Sequence, residues 1–462
     1  MDKGVNGSPG VREVFGTLPE LFREGGLRLV KIWFRKLFCN PMGYRPWLWM
    51  MALRAEFLWS SGSHEELRAI ATHLAKDHCW TLGYFQLAQC AHVQGDLDEA
   101  VSWLGELLKL NPEHTDAIHM LALCHQEQGN REQSWQILLT QALRRPRMKT
   151  WQYLANLVES SEDFRRLSAC HGDAVASGVI PAGRWEILSH LSLGAMRAGD
   201  YEAAKTLWRD IIRKRLGSSI RSKPRKSVIA RYSRGRAERA LLDMNRVLKD
   251  ADIDMFLVSG TLLGFVREGR LLGHDKDIDV GIWEDVPRDR LTAVVKASGL
   301  FNFITSRCAD IIRLRHVNGI PVDLFYHYRE AGTCWHGGVK MRWYNTPFTL
   351  AEVDFLGVSF KVPADHRRYF VENYGDDWEV SKPNFDSTFD TPNGKRKCVD
   401  EVIMYSFRQL FANINKGSEK KIDYYLSKLE QLGESELARE VRNTPCRSGT
   451  VSGGIGSALS GN

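Results

Sequence analysis

Hydrophobic residues recur at helical spacing through the first part of the chain and give way to short apolar runs further on. Residues 27–39 read LRLVKIWFRKLFC, with Val30, Trp33, Phe34, Leu37 and Phe38 at i, i+3, i+4, i+7 and i+8, and Arg28, Lys31, Arg35 and Lys36 elsewhere on the wheel. This predicts a basic amphipathic helix, either packed on its neighbours or lying on an anionic membrane surface. Between 81 and 148 the pattern repeats at 34 residues, the tetratricopeptide period: Leu87-Ala88 recurs as Leu121-Ala122, Gly95 as Gly129, Ala100 as Ser134 and Pro112 as Pro146. Glycine turns the chain between paired helices, small residues let them approach, and proline ends the second helix. Gly199 and Ala204 keep the same five-residue offset. Residues 60–217 are therefore expected to form a short helical solenoid, which either binds a protein partner or braces its neighbour.

Past 236 the period changes. Leu241, Leu242, Met244 and Leu248 predict a helix, IDMFLVSG (253–260) a short apolar strand, and DIIRLRHV followed by NGIPVDLFYHY (318–328) two more. The expected organisation is multidomain: a basic, aromatic-rich helical segment at 1–59, the solenoid at 60–217, a basic linker at 218–235, an α+β domain at 236–415, helices at 416–445 and a Gly/Ser-rich tail at 446–462.

Composition changes this picture little. The chain has 462 residues, 43% of them hydrophobic and 26% charged, as in ordinary globular proteins of two or three domains. A net charge of +7 favours anionic surfaces or substrates. The basic stretch 213–239 lacks the interleaved aromatics of single-strand binders, so nucleic acid is not expected as a partner. Nine scattered cysteines with no CxxC pair argue against a disulfide framework or zinc knuckle and fit a reducing compartment. The polar N-terminus lacks a signal-peptide layout, and no apolar run reaches the roughly 18 residues of a membrane span; Arg54 and Glu56 break the nearest approach, PWLWMMALRAEFLW.

The candidate chemistry lies in LLGHDKDIDVGI (271–282). Alternate side chains of a strand share a face, so Asp275, Asp277 and Asp279 are expected to point one way. Two carboxylates about 4 Å apart repel by about 4 kcal/mol at an effective dielectric of about 20. Such a cluster calls for a divalent cation, a bound proton or a basic partner, and Mg²⁺ takes carboxylate oxygens together with substrate phosphates. An EF-hand loop fails, because Val280 and Val286 stand where glycine and glutamate are required. A glycosyltransferase DxD and a plain acidic strand end stay open. Asp323 sits inside a further apolar strand, where an isolated charge is costly; it is either a third ligand or the ion-pair partner of Arg313 or Arg315. Gly260 and Gly264 bracket a strand-to-helix turn able to offer backbone N–H groups to phosphate.

Ser259-Gly260-Thr261, the Asp277-x-Asp279 pair and a lone later Asp323 resemble the polymerase-β-like nucleotidyltransferase core. SGTLLGFVREGRLLGHDKDIDVGI more closely resembles the signature of the LicD/fukutin family of phosphotransferases, and VPADHRRYFVENYGDDW (362–378) its closing segment, with Tyr374-Gly375. The likeness covers about 236–390; His274 stands where many members carry an aromatic. It implies a nucleotidyltransferase-type α+β domain with a mixed sheet, and transfer of a phosphocholine- or ribitol-phosphate-type unit from a CDP-alcohol donor to a glycan hydroxyl, releasing CMP. Asp277, Asp279 and Asp323 would be catalytic and hold Mg²⁺ or Mn²⁺, with Asp275 a further candidate ligand. Ser259, Gly260 and Thr261 would cradle donor phosphate, and Arg267, Arg270 and His274 are candidates for phosphate or acceptor contact. The expected setting is the cytoplasm, peripheral at the inner face of the membrane through 27–39, in lipopolysaccharide or capsule biosynthesis. A nucleotidyltransferase making an activated donor and a tetratricopeptide adaptor with an inactive catalytic domain are the competing expectations.

Overall fold

The computed structural model describes residues 46–217, 233–273, 275–382 and 385–444. The expected amphipathic helix at 27–39, most of the basic linker, His274 and the Gly/Ser tail lie outside the described residues. The described chain begins with helices: α1 (Pro46–Ser61), α2 (His64–Thr72, continued by a π-turn, His73–Asp77), α3 (Thr81–Gln94), α4 (Leu97–Leu110), α5 (Thr115–Glu127), α6 (Arg131–Arg144), α7 (Met148–Leu157), α8 (Ser161–Ala176), α9 (Trp185–Arg197) and α10 (Tyr201–Leu216). The repeat residues act as their types require. Gly95, Gly129 and Gly199 take φ of 85°, 84° and 80° between paired helices, where a β-carbon would be strained. Asp96 and Asp200 cap the next helix by accepting the backbone N–H of Glu99 and Ala203. Ala100 is fully buried, and the Ser134 hydroxyl donates to the Ala122 carbonyl of the partner helix at 2.8 Å.

A mixed sheet follows. Its elements are α11 (Arg234–Lys249), β1 (Phe256–Leu257), α12 (Ser259–Glu268), β2 (Ile278–Trp283), α13 (Arg288–Ala297), β3 (Phe301–Ile304), β4 (Ile311–His316), β5 (Pro321–Glu330), β6 (Thr333–Gly337), β7 (Met341–Asn345), β8 (Leu350–Phe355), β9 (Val358–Pro363), α14 (His366–Tyr374) and β10 (Gly394–Arg396). The strand order is β10-β7-β6-β5-β2-β1-β9-β8, and the β3–β4 hairpin joins through β4 to β5. β2 runs parallel to β5 and β1 to β9; the remaining pairs are antiparallel. Ile278, Val280 and Ile282 of β2 alternate into a core shared with Leu241, Met244 and Leu248 of α11 and with Val322 and Leu324 of β5. Each such burial contributes roughly 1.5–3 kcal/mol. The intervening positions, Asp279 and Asp323, are thereby kept off that core face.

Three helices close the described chain: α15 (Val399–Lys416), α16 (Glu419–Gln431) and α17 (Ser435–Asn443). The described residues fall into two compact units. One joins α1–α6 to the sheet domain as far as Lys397, and the other joins α7–α10 to α15–α17. Within the first, the His64 ring meets the Gly299 carbonyl at 2.7 Å. Within the second, the Phe411 ring lies 4.7 Å from Trp185 and 5.8 Å from Trp208. Arg209 also holds Glu434 through two hydrogen bonds of 3.0 and 2.7 Å. Among the described residues no helix is long and apolar enough to cross a membrane.

Candidate functional site

The pairing of β1 with β2 stops at Leu257 opposite Val280, and Ser259 then takes a left-handed φ of 48°. Holding a non-glycine residue there costs of order 1–3 kcal/mol. The expected strand over 253–260 is accordingly only two residues long, because Ser259–Thr261 form the first turn of α12. That turn is fastened to β2. The Gly260 N–H bonds the Asp279 carboxylate, and the Thr261 hydroxyl accepts the Asp279 backbone N–H at 2.8 Å. A β-carbon on Gly260 would lie 2.3 Å from Asp275 Oδ2, so only glycine admits that carboxylate. Gly264, further along the helix, lets the chain fold back: its β-carbon would lie 2.8 Å from the Arg270 carbonyl.

β2 begins at Ile278, so Asp275 and Asp277 lie on its approach rather than within it. Asp279 stands directly opposite Asp323 across the parallel β2–β5 pair. An oxygen from each of Asp277, Asp279 and Asp323 lies within 4.8 Å of the other two. Asp275 stays beside this group, hydrogen-bonded to Asp277 but outside the triad. Arg313 Nε lies 3.3 Å from Asp323 Oδ1, so Asp323 has both the ion pair and the place in the carboxylate group that the sequence offered as alternatives. Arg315 turns instead to the Gly319 carbonyl.

The electrostatics follow from that crowding. Burial pushes the Asp279 carboxyl well above the ordinary range, and the charges of Asp277, Asp275 and Asp323 push it the same way. Burial, with Asp277 next, raises Asp275 to about 7. Asp323 is raised by burial and by Asp277, against the opposing pull of Arg313. Like charges this close resist ionising together, and a cation between them removes the penalty. Three crowded carboxylates beside a strand-to-helix turn form an all-oxygen donor set, which fits a hard divalent ion.

Among the remaining sequence candidates, Arg267 has a side chain 15% exposed and meets Glu268 at 3.9 Å. Arg270 is 55% exposed and turns to Glu268 at 3.2 Å. Sequence reasoning passed over Tyr369. It and Tyr374 project from α14 towards the carboxylates, and burial raises both phenols, with the Asp279 charge adding to each. The available signal is the 362–378 segment, in which Tyr374 belongs to the Tyr-Gly element but Tyr369 reads as an ordinary core aromatic.

Sheet, turn and carboxylate group together form one candidate site. Residues 252–365 match the LicD/FKTN/FKRP nucleotidyltransferase domain, and residues 91–157 match a tetratricopeptide repeat. Over 252–365 the chain is thus similar to that nucleotidyltransferase domain, and tetratricopeptide-like helices precede the match. Its relatives include "Ribitol-5-phosphate transferase FKTN" of Mus musculus, 29% identical over 192 residues, which are 38% of this chain and 42% of the relative. The Homo sapiens protein of the same name is 26% identical over 173 residues, 34% of this chain and 38% of the relative. The chain spans about two-fifths of the length of these relatives.

Proposed function

We propose that the chain is a metal-dependent phosphotransferase. It moves a phospho-alcohol unit, of ribitol-phosphate or phosphocholine type, from a CDP-activated donor to a glycan hydroxyl and releases CMP. The observation that carries this reading is the convergence of Asp277, Asp279 and Asp323 beside the Ser259–Thr261 turn. Asp277, Asp279 and Asp323, with Asp275 alongside, would hold Mg²⁺ or Mn²⁺. An ion held there would supply charge neutralisation for the entering and leaving oxygens of an in-line displacement. The Ser259–Gly260–Thr261 turn would face the donor phosphate with the positive end of α12, the Gly260 N–H itself being engaged by Asp279. Asp323 accepts the proton of the acceptor hydroxyl as the new oxygen–phosphorus bond forms and the bond to CMP breaks. Relatives named as ribitol-5-phosphate transferases support the choice of cargo class. The tetratricopeptide-like helices offer a surface for a protein partner.

The test incubates purified protein with Mg²⁺, a panel of CDP-alcohols and candidate glycans, and measures CMP. Metal-dependent CMP release that falls at least about a thousandfold in Asp279→Ala is the expected result. Pyrophosphate release would instead identify an enzyme that makes the activated donor. Release of neither, with no Mg²⁺ binding by calorimetry, would leave the adaptor reading.

A further inference from the structure

A cavity of about 460 Å³ opens between α12 and the chain that follows α14. Leu263 and Leu272 line it on the α12 side, and Tyr374, Trp378 and Phe385 give it an aromatic wall. The wall is held in shape. Gly375 takes φ 91°, which reverses the chain after α14. Trp378 stacks on Phe370 with centroids 4.6 Å apart, and Phe385 lies 5.4 Å from Tyr374. Two cations face the same space. Lys382 is pinned at the rim by Asp377 at 2.6 Å and by the Tyr374 carbonyl at 3.0 Å. Arg267 is largely buried, and its contact with Glu268, at 3.9 Å, is too long for a hydrogen bond. The cavity adjoins the carboxylates, since Leu272 in its lining accepts the Asp275 backbone N–H at 3.3 Å.

We propose that this cavity seats a pyrimidine nucleoside phosphate, with its base against the Tyr374–Trp378–Phe385 wall and its phosphate held by Arg267 beside the Asp277–Asp279–Asp323 group. The inference rests on the CDP-donor reading above and says where that donor's nucleotide lies. Its volume is within the range of small-ligand sites. Aromatic faces stack bases without demanding a particular one, and a guanidinium offers a forked set of donors to phosphate oxygens. A neutral sugar would also lie on the aromatics but would leave the largely buried Arg267 with only its long contact to Glu268, at 3.9 Å. The assignment therefore separates two roles: Arg267 recognises the phosphate, and Phe385 recognises the base.

Equilibrium dialysis of the full chain with labelled CMP and with labelled cytidine, in Mg²⁺, tests this on wild type, Arg267→Gln and Phe385→Ala. Arg267→Gln is expected to weaken CMP about tenfold or more while leaving cytidine unchanged. Phe385→Ala is expected to weaken both ligands by about tenfold. The contrast between the two ligands within Arg267→Gln decides the matter even if Phe385→Ala does not fold, because a misfolded protein would lose both. CMP bound equally by wild type and Arg267→Gln overturns the cavity assignment and leaves the donor reading standing. Failure of wild type to bind CMP, together with absence of CMP release from CDP-alcohols, overturns both.

Discussion

Gly260 and Thr261 show how little chemistry separates a working site from a spoiled one. A methyl group at Gly260 would collide with the Asp275 carboxylate, and the Thr261 hydroxyl is the acceptor for the Asp279 backbone N–H. Replacing Thr261 by valine keeps the shape but orphans that N–H, at a cost of about 1–3 kcal/mol. Urea denaturation should show that loss in Thr261→Val and near-wild-type stability in Thr261→Ser. A valine variant as stable as wild type would mean that the bond does not hold the turn. The aspartates were legible in the sequence because charge inside an apolar strand is costly and so stands out. Tyr369 was not, since a buried phenol in a helix looks the same whether or not carboxylates lie above it.

Strand register does at the level of elements what these contacts do at the level of residues. A one-residue slip between β2 and β5 would turn either Asp279 or Asp323 into the core, so the apolar positions Ile278, Val280, Val322 and Leu324 also align the carboxylates. A second set of ties holds the neighbouring strands. Asp310, just before β4, accepts the Tyr328 hydroxyl of β5 at 3.1 Å and pairs with Lys397 beyond β10 at 2.7 Å. Burial alone would raise the Asp310 carboxyl, but Lys397 and Tyr328 outweigh it and hold it below the usual range. A carboxyl depressed on folding contributes stability above its unfolded pKa of about 4, which is lost as pH falls through the lower folded value. Wild type should therefore melt above Asp310→Asn at pH 7, with the gap narrowing as pH falls below about 4. A gap that is constant between pH 7 and pH 3 in thermal melts would show that the charge contributes nothing. β1 is shorter than its apolar run predicts for a reason at this scale. The apolar run 253–260 satisfies strand periodicity, whereas Ser259 leaves the strand through a left-handed turn that no pattern of hydrophobicity records.

The compact units of the whole molecule cut across chain order: α7–α10 group with α15–α17, although the entire sheet domain lies between them in sequence. Phe411, Glu434 and Glu440 return to Trp208, Arg209 and Arg213 on α10. Trp208, Ile211 and Ile212 are almost fully buried in the complete chain. A chain ending at Lys397 should lose more far-UV helical signal than the deleted helices account for, and should self-associate on size exclusion, because an uncovered apolar face seeks another partner. A monomeric truncation with α7–α10 protected from proteolysis would show that the C-terminal helices are dispensable to that unit.

By itself the sequence determined the helical repeats, the change to a mixed sheet and the aspartates, because each is written in local spacing: a 34-residue period, an apolar run, a charge where charge is costly. Only the tertiary structure decided that Asp323 keeps its ion pair with Arg313 and a place beside Asp277 and Asp279 at once, that Tyr369 and Tyr374 lie beside them, and that α15–α17 return to α9 and α10. Those outcomes depend on strand order and on which faces meet across long stretches of chain. No local period encodes them, and they are settled only when the apolar faces find their partners.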